Sequence, residues 1–393
     1  MEELQKRNLP ELLTPDGKWT PQRREEALGL LTQNVFGIRP PDPVKMEFKE
    51  SGLGECEFDE THDPATLDWF KNGGKAEFKR VRAVCHLSGE DFPGLKNWPG
   101  ADGKFEFDIS CYLPRTEEGK KVPAVVAVHY RESFDVHFLP MREIVGRGVA
   151  VFAFRYRHIV NDYPAGDHPR FDGAGLDRLY FGDYRLRDNP AARKPREPGT
   201  IQFWSWAASR AMDYVQTQGA RIDLARVAVA GHSRLGKTAL LTAATDTRFS
   251  HVLSNASCAA GAALSRGDRK EDLRTMSGWP AQWFCENLKT EHSSPLFDMH
   301  FMLACVAPRK ICVSNSDQDH CCDEISEYLS CVAASPAWQC LGKKGFVHPG
   351  RLPVAGDKFH GGDIGYHLRP GAHDFLLEDW MPLLEFFLNP NSA

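Results

Sequence analysis

The stretch Arg226-Val227-Ala228-Val229-Ala230-Gly231-His232-Ser233-Arg234-Leu235-Gly236-Lys237 constrains this chain more than any other. A β-branched apolar run ends at a glycine, a serine follows, and helix-forming residues begin at once. That order reads as strand, sharp turn, helix, with the serine on the turn. Such a turn lifts the serine oxygen off the end of a sheet. The helix behind it aims free N–H groups at the same point, where a developing oxyanion would sit. The stretch departs from G-x-S-x-G, because Leu235 stands where the second glycine belongs and Gly236 comes one later. Ser233 is a candidate nucleophile; the alternative is a serine capping an ordinary helix.

Around this turn, apolar runs alternate with helical stretches. Runs at 122–130, 148–156, 226–230, 251–255 and 310–315 have the look of buried parallel strands. Helices are expected at 200–217, 235–245, 280–289 and 323–333, then a strand near 363–368 and a helix at 376–388. Two extended runs, 78–87 and 104–113, suggest antiparallel strands leading into the sheet. The alternation predicts the α/β class: a doubly wound, mostly parallel sheet with helices on both faces and a site at the strand C-termini. Residues 1–40 suggest an N-terminal arm with a helical patch at 23–32, and 41–393 a single domain. Residues 157–199, rich in Asp, Arg, Pro and Gly, form an insertion expected to overhang the site.

Charge and cysteine usage narrow the function. A net charge of −5 gives no electrostatic case for nucleic acid or an anionic membrane as partner. No apolar stretch approaches the roughly 20 residues of a membrane helix. Residues 1–7 carry charges with no apolar core behind them, so no signal peptide and a cytoplasmic location are expected. The cysteine count, eleven, is odd, and the positions follow no repeating spacing. Several, such as Cys305 and Cys312, lie in apolar runs. All are expected to be reduced, acting as small buried hydrophobes.

A serine nucleophile needs a base, and the base needs an acid to orient it. Leu368-Arg369-Pro370-Gly371-Ala372-His373-Asp374 sets His373 in a loop between the last strand and the final helix. For the acid, Ser316-Asp317-Gln318-Asp319-His320-Cys321-Cys322-Asp323 follows the strand at 310–315. Asp317 and Asp319 are both candidates; each has the alternative of a helix cap or a solvated carboxylate. The segment also gathers Asp, His and two Cys, but adjacent cysteines are poor zinc spacing and no second pair matches it. There is no Walker loop and no dinucleotide fingerprint. No metal and no cofactor are expected. Arg131 and the segment Arg155-Tyr156-Arg157-His158 suit either an anionic substrate or surface ion pairs.

With these residues in place, the chain resembles the bacterial glucuronoyl esterases, carbohydrate esterase family 15. The resemblance runs from about 120 to 388. It is carried by Trp204-Ser205-Trp206-Ala207-Ala208-Ser209-Arg210, by Gly231-His232-Ser233-Arg234-Leu235-Gly236-Lys237, and by Gly261-Ala262-Ala263-Leu264-Ser265-Arg266. Trp283-Phe284-Cys285-Glu286-Asn287, Ala304-Cys305-Val306-Ala307-Pro308-Arg309 and the His373 loop continue it in order. The resemblance implies an α/β-hydrolase fold with Ser233 as nucleophile and His373 as base. It implies Arg234 at the oxyanion, Lys237 and Glu271 on sugar hydroxyls, and Trp283 on the substrate side. Some relatives take the acid from the loop after the strand following the nucleophile helix. Here that loop, Asn255-Ala256-Ser257-Cys258-Ala259-Ala260, has no carboxylate, and Cys258 and Ala260 stand where glycines are usual. Others take it after the next strand, which falls on Asp319; there Cys321 replaces a tryptophan that packs on the sugar. The expected function is a serine carboxylester hydrolase acting on a glucuronoyl or 4-O-methyl-glucuronoyl ester, small or oligosaccharide. An acetyl esterase on xylan-type sugars and a non-catalytic sugar-acid binder are the alternatives.

Overall fold

The computed structural model describes residues 2–55, 63–72, 76–131, 134–162, 175–181, 193–267, 270–278, 282–294 and 296–389. Ten strands form one sheet: β1 (Lys45–Gly52), β2 (Ala76–His86), β3 (Lys104–Pro114), β4 (Val122–His129), β5 (Ala150–Arg155), β6 (Ile222–His232), β7 (His251–Asn255), β8 (Lys310–Ser316), β9 (Lys358–Phe359) and β10 (Ile364–Arg369). Their order is β1-β2-β3-β5-β4-β6-β7-β8-β10-β9. The stretch from β5 to β10 is parallel, while β1 to β3 and the two-residue β9 pair antiparallel at the edges.

The middle strands are buried along their length because helices cover both faces. One face carries Ala124, Val126, Val227, Val229, Val252, Ile311 and Val313, under the helices Thr200–Thr217, Arg234–Thr245 and Glu324–Cys340. The other carries Val125, Ala228, Ala230, Leu253 and Cys312, under Leu377–Leu388. Alternate residues of one strand feed opposite faces, which is why these runs are continuously apolar. Doubly wound α/β is the observed class.

Three expectations need correction. The helix at 280–289 is absent: Leu273–Gly278 and Leu288–Glu291 are helical, 279–281 lie outside the described residues, and 282–287 are irregular. The backbone there is taken by other segments, Gln282 and Trp283 carbonyls accepting from Thr200 and Ile201 while the Cys285 N–H donates to Val35. Its apolar residues pack tertiary neighbours, and they gave a false helical signal. Strand β1 falls in a segment for which no strand was expected. Its burial is patchy because it lies at the sheet edge. Finally, the cysteines are not all reduced: Cys258 and Cys322 form a disulfide. They are 64 residues apart, a spacing that carries no signal. They meet because parallel neighbours β7 and β8 deliver their following loops to the same end of the sheet. Cys305 and Cys312 are buried and free, as expected.

The segment 1–40 contains the helix Pro21–Leu31, capped by the Thr20 hydroxyl on the Arg23 N–H and begun by a proline. Arg24 fastens it to the body by donating to the carbonyls of Cys305 and Ala244. Of the insertion at 157–199, residues 163–174 and 182–192 lie outside the described residues.

Candidate active site

Ser233 sits between β6 and the helix Arg234–Thr245 with φ 55° and ψ −124°. A positive φ costs a non-glycine residue about 1–3 kcal/mol, so the surroundings must impose it. They do so through close approach. A Cβ on Gly231 would lie 2.1 Å from the Leu235 carbonyl oxygen, and one on Gly236 would lie 2.9 Å from that of Asn255. The Ser233 N–H donates to the same Asn255 carbonyl at 2.9 Å, tying the turn to the end of β7. Leu235 is wholly buried and forms part of the core. The glycine the turn needs is therefore Gly236, which faces β7.

His373 and Asp319 arrive on two loops that hydrogen-bond to each other. Gln318 N–H donates to the Gly371 carbonyl, Ser316 Oγ to that of Ala372, and Gly371 N–H to Asp317 Oδ1. Arg369 closes the second loop from below by donating to the carbonyls of Ala372 and Asp374, on either side of His373, and its Nε donates to Asp379. The outcome is a 2.6 Å contact between His373 Nδ1 and Asp319 Oδ2. The Asp319 side chain is fully buried, while 27% of the His373 side chain is exposed, so the imidazole has a dry side and a wet side. Asp317 is the loop clasp just described. Asp323 caps the helix Glu324–Cys340 through the Ile325 and Ser326 N–H groups.

Burial, the largest single influence, pushes the Asp319 carboxyl up. The hydrogen bond and charge of His373, with the Cys322 and Cys321 N–H groups, outweigh it and hold the carboxyl below its ordinary value. Asp319 is thus an anion at neutral pH.

The segment 319–322 is divided among separate partners. Asp319 meets His373, and Cys322 is bonded to Cys258. The disulfide pins a strained loop: Ala256, Cys258 and Ala260 all have positive φ, at 43°, 53° and 55°. Glu327 holds that loop as well. Its Oε1 accepts from Cys258 N–H and Ser257 Oγ, and its Oε2 from Asn315 Nδ2. Burial pushes this carboxyl up to about 8. The folded chain therefore keeps a proton that the unfolded chain loses above its ordinary carboxylate pKa. Glu327 contributes most at low pH, and its contribution declines as pH rises toward 8, by about 1.4 kcal/mol per pH unit. Thermal melts from pH 5 to pH 8 are expected to fall less steeply in Glu327→Gln than in the native chain. Parallel curves would refute this.

Of the other expected site residues, Lys237 is only 2% exposed and donates from Nζ to the Ser257 carbonyl at 2.5 Å. Burial brings its pKa down to about 8, against the pull of Glu271 and, when it is ionised, Glu327. Burial also raises Glu271, while the charges of Lys237 and His373 oppose the rise, so these three groups share one region. The half-buried Cys321 feels the same Glu271, Asp319 and Lys237 charges. The Arg234 guanidinium pairs with Asp162 and lies 4.7 Å from the ring centre of Trp283, which is 5% exposed. Trp283 thus presents its face to Arg234.

Three contributors escaped the sequence reading. Asp162 lies in the aperiodic insertion and is buried, with Oδ1 accepting from Tyr156. Tyr130 is the first residue past β4; its hydroxyl donates to the His232 carbonyl and also feels the Ser233 hydroxyl and the Leu235 N–H. His232 stacks on Phe138 and Phe375 and lies 4.6 Å from the His373 ring, with Nδ1 2.6 Å from Asn255 Oδ1. Burial, then the charge of His373, drives its pKa down to about 3, so it is a neutral wall beside His373. Tyr130 and His232 adjoin positions with strong signals of their own; nothing in local spacing marks them.

Comparison with known proteins places the chain in a family. The family model "Glucuronyl esterase, fungi" matches residues 100–342, more than half of the chain. "Carbohydrate esterase MZ0003", from an unknown prokaryotic organism, is 28% identical over 95% of this chain and 85% of its own. A 4-O-methyl-glucuronoyl methylesterase of Podospora anserina is 29% identical over 77% of this chain and 65% of its own. The solved glucuronoyl esterase from Solibacter usitatus superposes with a TM-score of 0.75 at 27% identity, covering 96% of this chain and 97% of that one. With an α/β-hydrolase sheet, a serine elbow and a family match across most of the sheet, the chain belongs to the glucuronoyl esterase family, carbohydrate esterase family 15, whose members are carboxylic ester hydrolases.

Proposed function

We propose that this chain cleaves glucuronoyl or 4-O-methyl-glucuronoyl esters with Ser233 as nucleophile, His373 as general base and Asp319 as the orienting acid. The observation that carries the reading is the 2.6 Å contact of a fully buried carboxylate with the ring nitrogen of His373, whose other side faces solvent. His373 Nε2 takes the Ser233 proton as Oγ attacks the ester carbonyl. N–H groups at the start of the helix Arg234–Thr245 and the Arg234 guanidinium meet the oxyanion. The imidazolium returns the proton to the departing alcohol. Water, activated by the same imidazole, then releases the uronic acid from Ser233. Asp162 and Trp283 hold Arg234 in place, and Lys237 and Glu271 face the sugar hydroxyls.

Substrate comparison tests this reading. Methyl glucuronate is expected to be hydrolysed with a higher kcat/KM than an acetylated xylose. The reverse preference would favour an acetyl esterase. Absence of turnover on both, together with no labelling by a fluorophosphonate, would favour a non-catalytic binder.

Lys237→Met keeps the buried stem and removes the charge. It is expected to lower kcat/KM for methyl glucuronate about 10- to 100-fold, the scale of one hydrogen bond to a charged group. Hydrolysis of a small aryl acetate is expected to change by less than about threefold. Equal losses would show that Lys237 supports the 257 loop through its bond to the Ser257 carbonyl and does not read the sugar.

A further inference from the structure

Under the helix Leu377–Leu388, three ligand atoms face one another. Cys312 comes from β8, His367 from β10, and His360 from the residue after β9. Cys312 Sγ lies 3.5 Å from His360 Nε2 and 3.9 Å from His367 Nδ1, and the two nitrogens are 3.3 Å apart. Cys312 and His367 are buried, while His360 is half-buried and stands at the sheet edge. A tetrahedral zinc ion binds nitrogen at about 2.0–2.1 Å and sulfur at about 2.3 Å. Those bond lengths require edges of about 3.4 Å between nitrogens and about 3.6 Å between nitrogen and sulfur. The observed triangle has this size and this pattern, with its shortest edge between the nitrogens.

We propose that Cys312, His360 and His367 bind one Zn²⁺ per chain, with water as the fourth ligand, and that the ion fastens the β9–β10 edge to the sheet.

The chemistry of the donors suits this. One thiolate with two imidazoles is a soft and borderline set that favours zinc over magnesium or calcium. A neutral imidazole offers one ring-nitrogen lone pair, and the nitrogens that face Cys312 are His360 Nε2 and His367 Nδ1. On binding, the Cys312 thiol proton leaves to solvent as the S–Zn bond forms, with no change of oxidation state. Around the rings stand Lys358, Glu385, Arg369 and the Asp379 backbone. Among the described residues no acceptor reaches the buried His367 Nε2 at hydrogen-bond geometry. The place of the ion in the fold indicates a structural role. Cys312 lies four residues before Ser316, where β8 ends, so it is about 13 Å along the strand from the loop that carries Asp319. Strand β9 itself has two residues, and the segment before it adds two bonds, from the Gly356 N–H to the Leu368 carbonyl and from the Leu368 N–H to the Asp357 carbonyl, so the ion would reinforce a short edge.

The test uses the whole chain without reductant, loaded with zinc chloride or cobalt chloride and freed of loose metal by gel filtration. One equivalent of zinc per chain is expected, with Tm raised by about 3 °C at a hundredfold excess over Kd. Cobalt is expected to give a thiolate-to-metal charge-transfer band and the intense visible absorption of a tetrahedral ion. His360→Ala, at the half-exposed corner, is expected to weaken zinc binding at least tenfold while esterase turnover reports that the chain is folded. Cys312→Ser is expected to abolish the charge-transfer band. Among the described residues one other group has this size, Cys258, Cys322 and His373. Cys322→Ser is therefore the control and is expected to leave the cobalt spectrum unchanged. No retained metal, retention unaffected by His360→Ala and Cys312→Ser, or loss of the metal in Cys322→Ser would each overturn the proposal.

Discussion

Ser233→Ala is expected to leave a folded protein whose ester hydrolysis is reduced by about 10⁴- to 10⁶-fold. The methyl group fits wherever the hydroxymethyl fits, and the positive φ is imposed by the approach of Leu235 and Asn255 to the neighbouring glycines. Circular dichroism and Tm are therefore expected to match the native chain. What disappears is the only atom that forms a bond to the acyl group in the proposed mechanism. Residual hydrolysis then comes from ester binding and the oxyanion donors, without a covalent intermediate. Burst kinetics with a chromogenic ester and fluorophosphonate labelling are both expected to vanish. Activity above about 1% of native would mean that another group attacks the ester.

Asp319→Asn is expected to lower kcat by about 10⁴-fold with little change in KM. The geometry gives the reason. Asp319 Oδ1 accepts from the Cys321 and Cys322 N–H groups at 2.8 and 3.0 Å, and Oδ2 faces His373 Nδ1 at 2.6 Å. An amide keeps its oxygen on the two backbone donors and turns its NH₂ toward His373. Nδ1 must then accept, which places the ring proton on Nε2, the nitrogen required to take the Ser233 proton. Asp317→Asn is the matched control. Among the described residues its Oδ1 accepts only from the Gly371 N–H, and an amide oxygen accepts that equally well. A change below about twofold is expected there. A loss in Asp319→Asn below about tenfold would refute the acid assignment.

The sheet was legible in the sequence because its central strands are covered on both faces. Full burial writes itself as unbroken apolar runs, as at 122–130, 251–255 and 310–315. Strand β1, one face wet and one edge unpaired, carries no such run and was invisible. The false helix at 280–289 shows the opposite failure. Trp283, Phe284 and Leu288 are buried, but Trp283 lies against Arg234 and Phe284 against Phe36, and only Leu288 is helical, so apolar content appears without a continuous helix behind it. Ser233 and His373 were nameable because each follows a strand in a segment with a local signature, Ser233 on the turn into a helix and His373 on the loop after β10. The loop after β8 offered both Asp317 and Asp319, and the family resemblance pointed to Asp319. Tyr130, His232 and Asp162 reach the same place through side chains on strands and loops far apart in the chain. The Cys258–Cys322 bond depends on the adjacency of β7 and β8, which no spacing encodes.

The displaced glycine of the elbow has a use in searching genomes. Steric demand falls on the residue two before the serine and on the one three after it, where the helix crosses the end of β7. The intervening position points into the core, where a leucine fills space. A text pattern demanding glycine two residues after the serine rejects this chain, although the backbone it encodes is satisfied. A query that requires a small residue at either the second or the third place, followed by helix, would recover such chains. It would also show how many relatives have been passed over because their glycine moved by one.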